Sequence, residues 1–268
     1  MSTPSLLGLI DTHAHLQDPD LRTDLANILE RARLAGVVKL IGMGTTAADS
    51  AEVVAIADQF PGVFAAVGVQ PNYVAEAKLG DWEQIVALAG SPRVVAIGET
   101  GLDRYWDHSP FPLQQEWFER HLTLADALDL PVVIHCRDCE QDIIGQLARW
   151  NKPTRGVLHS FTGTWEDAQA FMALGLHISF AGMLTFANKK LDVLRGVASR
   201  VPVDRLLIET DSPYLSPHPH RGKRNEPSRL AFTAARIAEI RGIPLAELAL
   251  QTSANACHLF RLPEDKTV

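Results

Sequence analysis

Leu6-Leu7-Gly8-Leu9-Ile10-Asp11-Thr12-His13-Ala14-His15 is an apolar run that ends in two histidines, and a helical pattern follows it from about Pro19. Side chains alternate along a strand, so His13 and His15 point to one face. By itself the pair is either a polar strand end or half of a metal's ligand set. The unit of apolar strand followed by helix then repeats. Runs at Leu7–Thr12, Val37–Met43, Val63–Val69, Val94–Glu99, Pro131–His135, Gly156–His159, Leu176–Phe180 and Arg205–Glu209 alternate with helix-period segments, clearest at Leu113, Trp117, Leu124 and Leu128. Near-continuous apolar strands are typical of parallel sheets covered on both faces. Eight such units predict an α/β fold, a (β/α)8 TIM barrel, as a single domain over residues 1–268. An open doubly wound sheet is the alternative. It is disfavoured because the first strand-to-helix turn has no G-x-G-x-x-G, there is no P-loop, and Gly42-Met43-Gly44 reads as a turn.

Composition narrows the partners. Apolar residues make up 46% of the chain, enough for a substantial core, and no low-complexity tract or short repeat occurs. Lys and Arg number 25 against 32 Asp and Glu, a formal charge of −7 that excludes a broad basic nucleic-acid surface but leaves room for a local basic patch. Three cysteines (Cys136, Cys139, Cys257) make no disulfide framework and fit a reducing compartment. Met1–Gly8 carries no basic leader, and its apolar run is too short for a signal or a membrane span, so a cytoplasmic location is expected. No membrane association and no obligate protein partner are inferred.

The polar residues fall at equivalent places. His13 and His15 end the first strand, Glu99 the fourth, His135 the fifth and His159 the sixth, and Asp211 follows the eighth. In a barrel these strand ends share the rim where active sites form. A lone histidine at a strand end is commonly a hydrogen-bonded structural residue, but six ligand-type residues at one rim predict a metal site. Six exceed the three protein ligands of a single catalytic zinc. They suit two ions about 3.5–4 Å apart with one bridging carboxylate, for which Glu99 is the natural choice.

Here the motifs become specific. Asp11-Thr12-His13-Ala14-His15-Leu16, Gly98-Glu99-Thr100-Gly101-Leu102-Asp103, Pro131–His135, Leu158-His159-Ser160-Phe161-Thr162-Gly163, Glu209-Thr210-Asp211-Ser212-Pro213-Tyr214-Leu215 and Arg221-Gly222-Lys223-Arg224-Asn225-Glu226-Pro227 resemble the TatD family of metal-dependent deoxyribonucleases, a branch of the amidohydrolase-type metal hydrolases. The likeness runs from residue 9 to about Phe260, where Asn255-Ala256-Cys257-His258-Leu259-Phe260 is similar to the family's closing motif. The resemblance implies a barrel that hydrolyses DNA phosphodiesters from 3′ ends. It also implies that His13, His15, Glu99 and Asp211 hold one ion and that Glu99, His135 and His159 hold the other. One departure stands out. The family commonly shows Gly-x-His-Pro-His after the third strand, and this chain has Gly68-Val69-Gln70-Pro71-Asn72. Gln70 and Asn72 can hydrogen-bond a phosphate or a bound water but cannot carry a proton or a charge at neutral pH.

Other candidates have two readings each. Glu209 shares a strand face with Asp211, as a ligand of a third ion, an orienter of a ligand, or a partner for an arginine. Asp11 shares parity with His13, as an orienter or a buried structural carboxylate. Arg137, Lys223 and Arg224 are cations for phosphate oxygens, or members of a solvated loop. Tyr105 and Trp106 are stacking surfaces for a base, or anchors of their own loop. Cys136 and Cys139 invite a redox or zinc reading, set aside because Cys136 has the opposite parity to His135. His121, His177 and His258 read as structural, and His218 and His220 stay undecided.

Together these predict a divalent-metal-dependent hydrolase, a deoxyribonuclease in which hydroxide bridging two ions attacks phosphorus, with Asp211 and Glu99 as catalytic groups. The ions are Zn²⁺, Mn²⁺ or Mg²⁺, since histidines favour the first two and carboxylates with phosphate admit the third. An ester or amide hydrolase with the same site, such as a D-aminoacyl-tRNA deacylase, is the alternative, and a non-catalytic nucleotide-binding barrel is a third reading.

Overall fold

The computed structural model describes residues 8–263. Eight parallel strands pair in sequence order: β1 (Leu9–Ala14), β2 (Val37–Met43), β3 (Val63–Val67), β4 (Val94–Asp103), β5 (Val132–Arg137), β6 (Gly156–Leu158), β7 (Leu176–Phe180) and β8 (Leu206–Ile208). The α-helices between and after them are α1 (Pro19–Arg22), α2 (Leu25–Leu34), α3 (Ala47–Gln59), α4 (Asp81–Ala89), α5 (Phe111–Leu128), α6 (Glu140–Trp150), α7 (Trp165–Ala173), α8 (Asp192–Arg200), α9 (Leu230–Arg241) and α10 (Leu245–Phe260). This is the expected (β/α)8 barrel. No helix among the described residues is long and apolar enough to cross a membrane.

Strand alternation sorts the apolar residues into two cores. Ile10, Ile41, Phe64, Val95, Val133, Val157 and Leu207 turn inward and pack with one another. Leu9, Val37, Ile97, Ile134, Leu158, Ile178 and Ile208 turn outward against the helices, where they meet Phe118, Phe171 and Ile237. The inner core is plugged by Ala256, Leu259, Phe260 and Leu262. Burial of those residues under the barrel carries α10 to Phe260. The plug sits at the end where the strands begin, because Ser253 Oγ donates to the Gly8 carbonyl (2.7 Å) and Asn255 Nδ2 to the Leu206 carbonyl (2.9 Å).

The ring closes between β8 and β1 at the opposite end. The Asp211 amide donates to the His13 carbonyl (2.9 Å) and the His15 amide to the Ser212 carbonyl (2.8 Å). Asp11 reinforces this seam, accepting from the amide (2.9 Å) and hydroxyl (2.6 Å) of Thr210. The carboxylate of Asp11 is therefore spent on the seam and on the His13 amide (3.3 Å), and not on the imidazoles.

Two strands differ from expectation in ways that matter for the site. β1 has a register irregularity between Asp11 and Ala14. Ile10 faces the inner core, so strict alternation would send His13 outward; the irregularity returns it to the mouth. β4 continues four residues beyond Glu99, pairing Thr100 through Asp103 with Ile134 through Arg137. Gly101 lets the two backbones approach there: it has φ 133°, and a Cβ would lie 2.1 Å from the His135 carbonyl oxygen.

Candidate metal centre

Four ligand atoms converge where β1, β4 and the β8 end meet. His13 Nε2 lies 3.3 Å from His15 Nε2, 3.5 Å from Glu99 Oε2 and 3.6 Å from Asp211 Oδ1. His15 Nε2 lies 3.8 Å from the same Glu99 oxygen and 3.4 Å from the same Asp211 oxygen. One proton can bridge two of these atoms but not all four. Four ligand atoms at about 2.1 Å around a tetrahedral ion would stand about 3.4 Å from one another, and the five separations made by the two histidine nitrogens bracket that edge. His13, His15 and Glu99 form the grouping able to hold an ion, with Asp211 beside the two nitrogens.

A second group uses the other oxygen of Glu99. Its Oε1 lies 2.8 Å from His135 Nδ1 and 3.2 Å from His159 Nε2, and those two nitrogens are 3.4 Å apart. This triangle fits three protein ligands with a position left open. His135 and His159 arrive by plain alternation, each two residues after an inner-core valine, Val133 or Val157. Glu209 stands behind His159, with its Oε1 3.4 Å from His159 Nδ1. It is held by the Ser160 amide (2.7 Å) and the Ser179 hydroxyl (2.5 Å). His13, His159 and Glu209 form a third grouping able to hold an ion. No arginine takes part.

The charges follow from partners. Burial works against ionisation of Glu99, but His159 and the hydrogen bonds from His13, His135 and His159 hold its carboxyl well below the usual range. Asp211 is lowered in the same way, burial being outweighed by His15 and His13. At His135 burial is overcome by Asp103 and Glu99, which push its pKa up to about 9. His159 is raised well above its ordinary value against burial by Glu99 and Glu209. His13 goes the other way, lowered by burial and by His159. Without an ion, His135 and His159 are held as imidazolium beside Glu99 while His13 is held neutral, and a divalent ion would replace the protons on the nitrogens that bind it.

The cluster opens into a cleft of about 830 Å³. Gln70, Asn72 and Arg137 line it, as do Tyr105 and Trp106. The Arg137 guanidinium lies over the Tyr105 ring, 3.7 Å from its centroid, so the cation is held at the cleft by stacking. Lys223 and Arg224 are not among the lining residues; Arg224 instead donates to the Asp20 carbonyl oxygen. Cys136 does line the cleft, and its Sγ is 3.8 Å from that of Cys139, which donates to the Leu102 carbonyl oxygen. His121 is structural: its Nδ1–H donates to the Trp117 carbonyl (2.6 Å), and Nε2 accepts the Val69 amide (3.0 Å). His218 and His220 stay outside the cleft, bonded through the His218 amide to Thr185 and packed on Phe232.

Among the cleft residues that the sequence did not single out are Asp103, Tyr73 and Tyr214. Asp103 is buried beside His135, with Oδ2 2.8 Å from Nε2. Its signal was parity, since Glu99, Gly101 and Asp103 alternate onto one face once the strand is allowed to run through its glycines. Tyr73 and Tyr214 also flank the opening, both substantially exposed. Tyr214 packs edge-on against His15 at 5.7 Å. Nothing in the local sequence sets either apart from an ordinary loop aromatic.

Comparison with known proteins identifies the family and the fold. The sequence profile of the family described as TatD related DNase matches residues 10–261. The uncharacterized metal-dependent hydrolase YabD of Bacillus subtilis is 38% identical over 255 residues, covering 95% of this chain and 99% of the relative. The protein of Citrobacter rodentium called 3′-5′ ssDNA/RNA exonuclease TatD is 37% identical over 258 residues, covering 94% of this chain and 97% of the relative. Among solved structures, YjjV, a TatD homologue from Escherichia coli K12, superposes with a TM-score of 0.89 at 34% identity, covering 96% of this chain and all of that one.

Proposed function

We propose, for a chain that belongs to the TatD-related DNase family of metal-dependent hydrolases, the hydrolysis of phosphodiester bonds at the 3′ end of a DNA strand. The observation that carries this is the division of Glu99, whose two oxygens face two separate sets of ligand nitrogens. His13, His15, Glu99 and Asp211 would hold one divalent ion, and Glu99, His135 and His159 the other. Two such ions supply charge neutralisation at the phosphate and a water acidic enough to attack at neutral pH. We favour Zn²⁺ or Mn²⁺ for the histidine-rich ligation, with Mg²⁺ admitted by the carboxylates.

The protein's own groups do the rest. Asp211 is ionised at neutral pH and turned to the cleft, so its carboxylate can take the proton of the attacking water. Arg137, pre-set on Tyr105, offers its fork to a phosphate oxygen without first being ordered. Tyr105, Trp106, Tyr73 and Tyr214 present ring surfaces at the opening on which unpaired bases can stack. Gln70 and Asn72 offer only neutral hydrogen bonds where the family commonly shows histidines. Lys223 and Arg224, placed away from the cleft, are left to the more distant backbone of a bound strand. A closed-bottomed cleft in a chain of charge −7 suits a strand end better than continuous duplex. Three cysteines without a disulfide framework favour a reducing compartment such as the cytoplasm.

The test uses 5′-labelled single-stranded DNA, RNA and D-aminoacyl-tRNA, with each metal restored after chelation. Stepwise shortening of DNA from the 3′ end is expected. His135→Ala and Asp211→Asn should each lower the rate by about 10²–10⁴-fold while still folding. Deacylation without DNA cleavage would replace the substrate, and unchanged rates in both variants would sink the site.

A further inference from the structure

We propose that Asp103 is a positioning residue for the Glu99–His135–His159 ligand set, fixing His135 in the tautomer that leaves Nδ1 free to bind an ion. The inference rests on the reading of His135 as a ligand. Asp103 is buried, and its carboxylate receives four donors. Oδ1 accepts the amides of Tyr105 (2.8 Å) and Trp106 (2.9 Å). Oδ2 accepts Asn72 Nδ2 (3.0 Å) and His135 Nε2 (2.8 Å). Its own amide is held by Gln114 Oε1 at 2.8 Å. An ionised carboxylate only accepts, so Nε2 of His135 must carry the proton. Nδ1 is then the atom aimed at Glu99 Oε1. Asn72 serves the same end: its amide nitrogen is spent on Asp103, and its oxygen is left buried without a partner.

The same carboxylate holds more than a histidine. Through Oδ1 it pins the Tyr105–Trp106 turn, and the Tyr105 ring carries the Arg137 guanidinium. One side chain thus ties an ion-binding set to the wall proposed to receive substrate. Asp103→Asn separates these duties. The two backbone amides would keep the asparagine oxygen, which places its NH₂ against two other donors, Asn72 Nδ2 and the Nε2–H of His135. His135 escapes that clash by moving its proton to Nδ1, which removes a ligand from the ion while leaving the fold in place.

Zinc binding read by competition with a chromophoric chelator tests this without any nucleic acid. The wild type should take up two ions. In Asp103→Asn one affinity should fall about 10–100-fold while the other holds. A second measurement needs no variant: long-range proton–nitrogen spectra of the ¹⁵N-histidine, zinc-loaded wild type should show His135 protonated at Nε2 and shifted by metal at Nδ1. Wild-type affinity for both ions in Asp103→Asn, equal weakening of both, or a proton on Nδ1 in the loaded wild type would overturn the role of Asp103 alone. A wild type that binds fewer than two ions would overturn the proposed centre, and this inference with it.

Discussion

Replacing Gly101 by alanine sets a methyl group against the backbone of the neighbouring strand. The added Cβ would lie 2.1 Å from the His135 carbonyl oxygen, 3.0 Å from its amide nitrogen and 3.1 Å from its carbonyl carbon. Comfortable carbon–oxygen contacts begin at about 3.3 Å, so the strands must part by roughly an ångström. The backbone conformation adds strain, because φ of 133° lies in a region open almost only to glycine. Strain of about 1–3 kcal/mol and forced displacement of about 1–3 kcal/mol together give about 4 kcal/mol. For a domain of this size that corresponds to a fall in Tm of about 8–16 °C. The damage should also reach function, since Gly101 pairs with His135 and any parting separates His135 Nδ1 from Glu99 Oε1. Gly145→Ala is the control. It lies within α6, where the new Cβ meets only the Arg149 guanidinium tip at 3.4 Å, and it should gain about 0.5–1 kcal/mol. Thermal unfolding of the chelated proteins and zinc competition read both effects. A Gly101→Ala protein that melts within about 2 °C of wild type and keeps its zinc affinity would falsify the claim that this close approach is rigid.

Two further outcomes follow from the buried charges. Stripping metal with a chelator should lower Tm by about 5–10 °C for each ion that had been present at a hundredfold excess over its Kd, since such an ion contributes about 2.7 kcal/mol. Loaded and chelated proteins that melt together would argue against a built centre. His121 sets an acid limit: burial lowers its pKa from 6.5 to about 4, so the folded state resists a proton that the unfolded chain accepts. Its contribution is complete above pH 6.5 and is lost as pH falls toward 4, a swing of about 3 kcal/mol. Urea unfolding of chelated wild type and His121→Gln across that range should show a shallower pH dependence in the variant, and parallel curves would exclude the assignment.

Much of the centre was legible because strand period and barrel symmetry act together. His135 and His159 follow inner-core valines by two residues, so counting suffices to aim them. His13 is different: counting from Ile10 sends it to the helices, and only its pairing with His15 marks it as a ligand. The irregularity that corrects its direction is a tertiary feature of the β1–β2 pairing. Asp103 was hidden by the glycines of β4, which read as a strand's end when they permit its continuation beside β5. Lys223 and Arg224 are the reverse case. Their loop follows β8 onto the correct rim, but nothing local says where a long cationic side chain will find its acceptor, and for Arg224 that acceptor is a carbonyl outside the cleft. Tyr73 and Tyr214 carry no periodicity at all. The fold rests on repeated burial preferences that add up over the chain, whereas the cleft wall rests on single contacts with nothing to average.

The plug beneath the barrel has a consequence for how the protein is made. A ribosome releases β1 first and β8 some two hundred residues later, so every residue of the centre, from His13 to Asp211, has been synthesised before Leu259 and Phe260. Until those two arrive, the inward faces of Ile10, Phe64, Val133 and Leu207 have no floor, and Gly8 and Leu206 lack the α10 side chains that bind them from below. A chain still growing from the peptidyl-transferase centre therefore carries the candidate ligands on a ring that has no floor beneath it. Assembly of the centre waits for the segment farthest from it in space, and a nascent chain ending before residue 256 should emerge without the power to hold its ions.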